Sequence, residues 1–426
     1  MHMAAGPLAR VFPAGPRAPG RGHPGGLPWR AALGLLVAGR LAAAIQLQPD
    51  GYHVHPGDSI QAALEMAATN AAQKVVRVHA GVYRPDSRRQ ALVWFNQAHA
   101  GIQLLAEGEV TLTAANPGLS RPSDPGHPAV VNHVVYFGDG ISTNTRIRGF
   151  RLTGANGFLT REGTATLEPS RTVPRNFFFY SDGGGVKVFG RSAPRLEELT
   201  IADNYTQPCG AGISIQQQGR RDQPVHIENC RFLTNRAQAT GAAIDLLAGS
   251  SARIINCLFV GNASNLGEDM VAKSSGEKPF VNNGVVTVFW KSAALVAHCT
   301  FTGNRNGVDD MGGESLFVNN LFHANREDTG LPGHPRYELA VNAGGQVRNC
   351  ALLGTVFDDR QVVEGHGNRL AGPDPRFDAE FIPHAPEYEG LGYRPPRLVI
   401  VRPARPPQAP AIPAPVNAAP SPSAPR

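Results

Sequence analysis

The sequence has few aromatic residues and no long apolar run. Aromatic side chains make up 7% of the 426 residues, so the interior must be built mainly from small and β-branched residues. No run reaches the roughly 18 apolar residues that a membrane-spanning helix needs, and we therefore expect no membrane span. Residues 140–370 also lack the apolar pattern of amphipathic helices, which argues against a helical fold.

Acidic residues are absent from both ends of the chain. Residues 1–44 contain five arginines and residues 402–426 contain three, without an aspartate or a glutamate. The formal net charge of the whole chain is +6, yet residues 45–401 alone carry −2. The central part is therefore close to neutral, and we expect no nucleic-acid partner.

These two ends are predicted to lie outside the folded domain. Residues 1–44 lead through arginine-bearing sequence to the apolar run AALGLLVAG (31–39) and the small residues LAAA (41–44). This order is typical of an export signal, although Arg40 interrupts it. Residues 402–426 are rich in Pro, Ala and Ser, which favours a disordered tail. We expect one domain at 45–401 in a protein exported to the periplasm, the cell surface or the medium.

A short phrase recurs along the central part of the chain. It reads NCRFLTN (229–235), NCLFVGN (256–262), HCTFTGN (298–304), NNLFHAN (319–325) and NCALLGT (349–355). The closing asparagines of the first four phrases, together with Asn204, are 31, 27, 42 and 21 residues apart. A constant phrase at irregular spacing favours a solenoid whose coils carry loops of different length.

Glycine-led segments lie between the phrases and alternate apolar with other residues. They are GGGVKVF (183–189), GAGISIQ (210–216), GAAIDLL (241–247) and NGVVTVF (283–289). The alternation predicts short β-strands. Coils of two or three such strands, stacked about 4.8 Å apart, form a parallel β-helix.

Cysteine is scarce, with only five residues and no Cys-x-x-Cys pair, which argues against a zinc site. Four of the five occupy one position of the phrase, where Asn320 replaces them once. We expect stacked, buried thiols next to stacked phenylalanines, because free cysteine packs as a small apolar residue. A disulfide between neighbouring coils is the alternative in an oxidising compartment. The cysteines in the phrase are Cys230, Cys257, Cys299 and Cys350.

The N-terminal part of the domain supplies a cap for such a stack. PGDS (56–59) precedes the amphipathic segment IQAALEMAATNAA (60–72), and Asp58 or Ser59 can serve as its N-cap. The segment KVVRVHAGVYRP (74–85) follows and predicts a strand and a turn. A helix over the open end of a solenoid protects its exposed strand edge.

These features resemble the right-handed parallel β-helix proteins of the pectin-lyase-like superfamily. The resemblance covers roughly residues 46–380 and rests on PGDSIQAALEMA, VVRVHAGVYRP and the NCxFxxN and GGGV repeats. It implies an all-β fold, a right-handed parallel β-helix solenoid with an N-terminal capping helix. That fold hosts lyases, hydrolases, epimerases and non-catalytic surface proteins, so it does not decide the function.

One row of residues emerges when the glycine-led strands are aligned. If the apolar residues point inward, the residues between them point outward, about 4.8 Å apart along the stack. This polar row consists of Lys187, Ser214, Asp245, Thr287 and Asp309, and we expect it to be exposed, with Asp310 beside it. The resemblance implies that such a strip holds an extended sugar chain. A solvated sheet face is the alternative, because exposed strand positions are polar in any case.

We predict Lys187, Asp245, Asp309 and Asp310 as catalytic residues on this basis. Two carboxyl groups about 6.5–9.5 Å apart can act as acid and base in an inverting hydrolysis. Grouped carboxylates can also bind Ca²⁺, which neutralises a uronate before a basic side chain removes a proton, as in a lyase. Ca²⁺ is thus the one cofactor considered.

Further substrate contacts are predicted near the widest spacing between phrases. Residues 263–283 form an excursion from the repeat, and loops on rigid scaffolds commonly build binding sites. The predicted substrate-binding residues are Lys273, Trp290, Lys291 and Arg305. The sequence therefore favours a protein that binds an acidic polysaccharide. If the protein is an enzyme, we expect it to cleave this polysaccharide as a lyase or a hydrolase. The alternative is a non-catalytic, adhesin-type protein that binds a cell surface or matrix.

Overall fold

The repeated phrases and the glycine-led segments form successive coils of a right-handed parallel β-helix in the computed structural model, as the sequence predicts. The structure describes residues 45–169, 177–217, 222–266, 284–325, 337–342, 344–358 and 363–396. The predicted export signal and the Pro-rich tail lie outside these residues. Among the described helices, none is long and apolar enough to cross a membrane.

The glycine-led strands form a first sheet of nine parallel strands. Its register places Ile213 opposite Val186 and Ile244, so the apolar positions coincide from coil to coil. In chain order, the strands are Arg89–Phe95, Val131–Phe137, Val186–Gly190, Ile213–Gln217, Ile244–Leu246, Val286–Val288, Val308–Asp310, Leu339–Val341 and Val356–Asp358.

A second sheet of 17 strands closes the coil. It begins with Gln46–Gln48, which pairs antiparallel with Gly51–Val54, and continues with the long strands Val75–Tyr83, Gln103–Thr113 and Arg146–Thr153. From there each coil contributes two short strands separated by a turn. The first arm comprises Arg195–Glu197, Val225–Glu228, Ser251–Ile255, Ala293–Ala297, Leu316–Val318 and Gln346–Arg348. The second arm comprises Thr200–Ala202, Arg231–Leu233, Leu258–Val260, Thr300–Thr302, Leu321–His323 and Ala351–Leu353.

The turn between the two arms explains the first residue of each phrase. Asn229, Asn256 and Asn319 adopt φ values of 58°, 51° and 56°. Asparagine tolerates this left-handed conformation better than most residues with a side chain. A small pair, Tyr205–Thr206 with Arg236–Ala237, forms beyond the second arm.

The helices are short, and one of them caps the stack. Ile60–Thr69 is the predicted capping helix, and the Ser59 hydroxyl accepts a hydrogen bond from the Ala62 backbone N–H. The other helices are Thr164–Leu167 and Phe177–Ser181, with 3₁₀ turns at Gln97–His99 and Pro386–Tyr388.

The core follows the phrase as predicted. The rings of Phe232, Phe259, Phe301 and Phe322 stack nearly parallel, with centroids 4.8, 4.3 and 4.6 Å apart. All five cysteines are free and buried, which confirms packed thiols and excludes the disulfide alternative in this structure.

The closing asparagines form a ladder along the axis. The Asn262 amide donates to the Phe232 carbonyl oxygen at 2.9 Å and to Asn304 Oδ1 at 3.0 Å. Its own Oδ1 accepts from the backbone N–H and the side chain of Asn235, both at 3.0 Å. Each asparagine therefore satisfies polar groups of two neighbouring coils.

The C-terminal segment, residues 377–396, returns along the outside of the second arm, and we call it the C-terminal strap. Tyr388 packs with Leu321, Leu353 and other apolar side chains. Farther along, the Tyr393 N–H donates to Thr300 Oγ1 at 2.9 Å. At its end the Arg394 backbone exchanges two hydrogen bonds with the Asn256 side chain.

Candidate functional site

The polar row exists in the predicted register. Ser214 lies opposite Lys187 and Asp245, Asp245 lies opposite Thr287, and Thr287 lies opposite Asp309. The alternating residues Val186, Ile213 and Ile244 belong to the core and are 0% exposed. The inward and outward faces of the first sheet are therefore those that the alternation predicts.

The expected exposure of this row is wrong. Lys187, Ser214, Asp245 and Thr287 are 0% exposed, and Asp309 is 2% exposed. The glycines before the strands explain part of this burial. A Cβ atom at Gly210 would lie 2.7 Å from Ser214 Cβ, and one at Gly241 would lie 2.5 Å from Asp245 Cβ. The turn before each of these strands folds back over the row, and only glycine leaves room for that contact.

These turns bring a second line of side chains against the row. Asp182, Cys209 and Thr240 each precede a member of the polar row by five residues, and all three are buried. The sequence interpretation missed them, although their constant offset from Lys187, Ser214 and Asp245 was a usable signal.

Lys187 and Asp182 form a buried ion pair at the first of these contacts. Lys187 Nζ lies 2.6 Å from Asp182 Oδ1, and it also donates to Ser214 Oγ at 3.1 Å and to the Phe178 carbonyl oxygen at 2.9 Å. Ser214 Oγ donates to Asp182 Oδ2 at 2.8 Å. Three acceptors thus satisfy the ammonium group, and Lys187 has no approach from solvent.

Asp245 occupies the next position of the row and is poorly solvated. Thr240 Oγ1 donates to its Oδ1 at 3.2 Å, while Oδ2 has no hydrogen-bond partner among the described residues. Burial first, and then the charge of Asp182, raises the pKa of Asp245 to about 8. The carboxyl group is therefore protonated at neutral pH.

Asp309 and Asp310 lie on opposite sides of their strand. Asp310 pairs in register with Val288 and Val341, both of which face the core. The expectation that Asp310 lies beside Asp309 on an exposed strip is therefore wrong. Its Oδ1 accepts hydrogen bonds from Ser315 Oγ at 2.9 Å and the Gly313 N–H at 3.1 Å.

Asp309 is the more isolated of these two carboxyl groups. Its Oδ2 is buried without a hydrogen-bond partner among the described residues. Burial, and then the charges of Asp310 and Asp245, raise the pKa of Asp309 well above its ordinary value. The row thus contains two buried acids, Asp245 and Asp309, whose pKa values are both raised and which lie two coils apart.

The predicted substrate-binding residues do not form one cluster with the row. Trp290 is 61% exposed and lies two residues beyond the end of the strand Val286–Val288, and Lys291 is exposed at the turn that follows it. Arg305 is half-buried in another part of the coil. Lys273 lies outside the described residues. The roles of these four residues in substrate binding stay predictions.

Within the part of the chain that the structure describes, one group of side chains lies close enough together to hold a metal ion. The ligand atoms of Asp182, Cys209 and Asp245 lie within 4.8 Å of one another. Ca²⁺ prefers six to eight oxygen ligands, and this group offers two carboxyl groups and a thiol next to the Lys187 ammonium. The donor set therefore does not fit the considered Ca²⁺ site.

A row of basic side chains lies on the opposite sheet and was not identified from the sequence. Arg195, His226 and Arg253 are in register on the outer face of the first arm. Arg146, at the start of the long strand Arg146–Thr153, lies opposite Arg195 and continues the same row. Arg195, His226 and Arg253 each stand three residues before the turn residue of their coil. Alignment on the phrase would therefore have found this basic row.

The basic row is accessible and partly paired. Arg195 contacts Glu197 at 2.8 Å and Glu228 at 3.6 Å, with 39% of its side chain exposed. Arg146 also pairs with Glu197. Arg253 is exposed and forms no ion pair with a described residue. The row thus ends on a guanidinium group that is free to bind an anion.

Comparison with known proteins supports the fold. Residues 133–286 match the family model of the right handed beta helix region. This segment includes the coils that carry Lys187, Ser214 and Asp245. No curated protein and no solved structure matches the chain. The match identifies the architecture, and it names neither a reaction nor a substrate.

Proposed function

We propose that this chain is an exported protein that binds an acidic polysaccharide along the basic row without cleaving it. The observation that carries the proposal is the register of Arg146, Arg195, His226 and Arg253 on one accessible face. Successive members are about 4.8 Å apart along the axis. A polymer with regularly repeated carboxylates can follow such a line, and guanidinium groups bind carboxylates through two parallel hydrogen bonds.

The burial of the polar row favours binding over cleavage. A general acid or base must come within hydrogen-bond reach of the bond that reacts. Lys187 and Asp245 are 0% exposed, so a sugar chain on the surface does not reach them. The Lys187 ammonium also donates hydrogen bonds to three acceptors, which argues against its predicted role as a proton-abstracting base.

Hydrolysis by Asp245 and Asp309 is the second candidate. Each has a carboxyl oxygen without a partner among the described residues, and buried groups of this kind cluster at functional sites. Two coils separate them, which corresponds to about 9–10 Å and approaches the carboxyl separation of inverting glycosidases. This candidate requires that the row open to the substrate.

A binding experiment with two soluble acidic polymers tests the proposal. Polygalacturonate and alginate, with neutral dextran as a control, are titrated into the full chain by calorimetry at two salt concentrations. We expect both acidic polymers to bind, more weakly at high salt because exposed charges are screened. The Arg253→Gln variant should bind roughly two- to fivefold more weakly, since an exposed charge pair contributes up to about 1 kcal/mol.

The matched control is Arg121→Gln. Arg121 is an exposed arginine outside the basic row and forms no ion pair with a described residue, so this variant loses the same charge and should bind like the wild type. Equal losses of affinity in the two variants would show that binding depends on the net charge of the protein and not on the basic row. New reducing ends would support hydrolysis, and unsaturated products would support a lyase, each measured with and without Ca²⁺.

A further inference from the structure

The buried Lys187–Asp182 pair differs from the other ion pairs of the described chain. Both of its side chains are 0% exposed, whereas every other ion pair between described residues has at least one partner in contact with solvent. Buried ion pairs contribute little net stability, because desolvation of the two charges offsets their attraction. This pair therefore calls for an explanation other than stability.

Its surroundings exclude water and disfavour charge. The helix Phe177–Ser181 lies directly before Asp182, and its Phe179 is 0% exposed and packs against Tyr136 and Phe189. Burial, and then the charge of Lys187, lowers the pKa of nearby His133 to about 3, so its ring is neutral. In such a place, transfer of one proton from the ammonium to the carboxylate removes both charges.

We propose that Lys187 and Asp182 join spontaneously in an intramolecular amide bond. Lys187 Nζ contacts Asp182 Oδ1 at 2.6 Å and is thus one atom away from the carboxyl carbon. After the proton transfer, the neutral amine attacks Cγ and forms the N–C bond. The Cγ–Oδ1 bond then breaks, and Oδ1 leaves as water with one proton from the amine. The reaction needs no oxidant and no co-reactant.

Ser214 is placed to stabilise the intermediate of this reaction. The negative charge of the tetrahedral intermediate develops on Asp182 Oδ2, and Ser214 Oγ already donates to that atom at 2.8 Å. This is the position of an oxyanion donor. Asp245 has an oxygen within 4.8 Å of Asp182, and in its protonated form it adds no second negative charge that would hold Lys187 as an ammonium ion.

The amide would tie the turn Asp182–Lys187 into a closed ring. Its carbonyl oxygen would keep the Ser214 hydrogen bond, and its N–H would keep the Phe178 carbonyl as acceptor. The helix Phe177–Ser181 would thereby be anchored covalently to the first sheet. This inference is independent of polysaccharide binding.

Tryptic peptide mapping of the folded wild-type chain tests the proposal. Trypsin cleaves after Arg175, Lys187 and Arg191, so an unmodified chain gives the peptides 176–187 and 188–191. Acylated lysine is not cleaved, and the amide would therefore give one peptide, 176–191, lighter than the unmodified sequence by one water molecule. Fragmentation should locate this loss within 182–187.

A chain that has never folded provides the control with identical chemistry. Protein recovered from inclusion bodies in guanidinium should give the two separate peptides, and the linked peptide should appear only after refolding. Complete cleavage after Lys187 in the folded protein would overturn the proposal. So would a linked peptide in the chain that was kept unfolded.

A pair of hydroxyl variants checks the role of Ser214 during refolding. Ser214→Ala removes the oxyanion donor and should slow the appearance of the linked peptide by about a hundredfold. Thr287→Val removes a buried hydroxyl from the same row two coils away and should leave the rate unchanged. Equal rates in all three proteins would remove Ser214 from the reaction, while the peptide map of the wild type still decides whether the bond forms.

Discussion

At the scale of single residues, Asp245 shows how a strand position that alternation assigns to the outside becomes a buried acid. Its side chain points away from the core, yet the turn at Gly241 lies against its Cβ atom. Thr240 satisfies one carboxyl oxygen, and the other has no partner among the described residues. Asp245 therefore keeps its proton at neutral pH. Because an unfolded chain would release this proton, the stability of the fold depends on pH through Asp245.

The pH dependence of stability should reveal this proton. The pKa of Asp245 is raised to about 8 in the folded state, against about 3.9 in an unfolded chain. Below about pH 4 both states hold the proton, and its stabilising contribution is fully present. It is lost as the pH rises from about 4 to about 8, because the unfolded chain releases the proton first.

Asp245→Asn should remove this dependence, since an amide does not titrate. The free energy of unfolding of the variant should rise relative to the wild type by up to about 1.4 kcal/mol per pH unit between pH 5 and pH 7. Urea unfolding of both proteins at several pH values measures this difference in free energy. The titration of groups that the two proteins share contributes equally to both values and cancels. A difference that stays constant with pH would mean that Asp245 is already ionised in the folded protein.

The row also shows which residue properties a sequence predicts. Period-two alternation and in-register stacking place Asp245 between Ser214 and Thr287, and both rules are local. Exposure depends on the neighbouring turns, and a glycine in the sequence marks a strand boundary without showing that its turn folds back over the row. The catalytic assignment of Lys187, Asp245, Asp309 and Asp310 stays a prediction, and the burial of all four side chains argues against it.

At the scale of the elements, the asparagine ladder joins the coils through buried side chains. Asn235, Asn262 and Asn304 are all 0% exposed and connect through amide-to-amide hydrogen bonds. Because each asparagine amide forms hydrogen bonds with the coils on both sides, removing one side chain leaves unsatisfied polar groups in both neighbouring coils. The ladder is therefore sensitive to single substitutions.

Asn262→Ala should destabilise the chain strongly. The change would leave the Phe232 carbonyl oxygen and two Asn235 donors without their partner. Each unsatisfied buried group costs about 1–3 kcal/mol, so we expect a loss of roughly 3 kcal/mol or more in urea unfolding. Asn144→Ala is the control, because Asn144 is exposed, and its effect should stay within about 0.5 kcal/mol. An equally small effect of Asn262→Ala would contradict the claim that the asparagine ladder stabilises the fold.

At the scale of the whole molecule, the C-terminal strap connects coils that a solenoid otherwise joins only to their neighbours. In a repeat protein each coil contacts the next one, and stability propagates along the axis. The strap pairs Arg394 with Asn256 across a sequence separation of 138 residues. It therefore makes the C-terminal coils depend on one another.

Tyr388 is the main apolar anchor of the strap. Its ring is 0% exposed among Leu321, Leu353 and neighbouring residues, and its hydroxyl donates to the Pro373 carbonyl oxygen at 2.6 Å. Tyr388→Ala should lower the free energy of unfolding by about 3–5 kcal/mol through the cavity it creates. Leu370→Ala, at a side chain that is 50% exposed, should change it by less than about 0.5 kcal/mol. Equal denaturation midpoints for the two variants would show that the strap is not coupled to the coils.

The C-terminal strap could not be predicted from the sequence, whereas the coils and the basic row could. The coils were predictable because the NCxFxxN phrase repeats with a fixed internal geometry. Residues 377–396 have no repeat, and their contacts depend on the finished outer surface of the second arm. The basic row is predictable from the repeat in the same way as the polar row, since Arg195, His226 and Arg253 share one offset from the turn.

The return of the strap also determines how the molecule carries mechanical load. A pull on the chain beyond Pro396 first reaches the β-helix at Asn256, in the middle of the stack, and not at the last coil. The hydrogen bonds at Asn256, Thr300 and Asn319 would then break one after another, beginning at the C-terminal end of the strap. The strap can thus lengthen under tension before the coils beneath it bear the load.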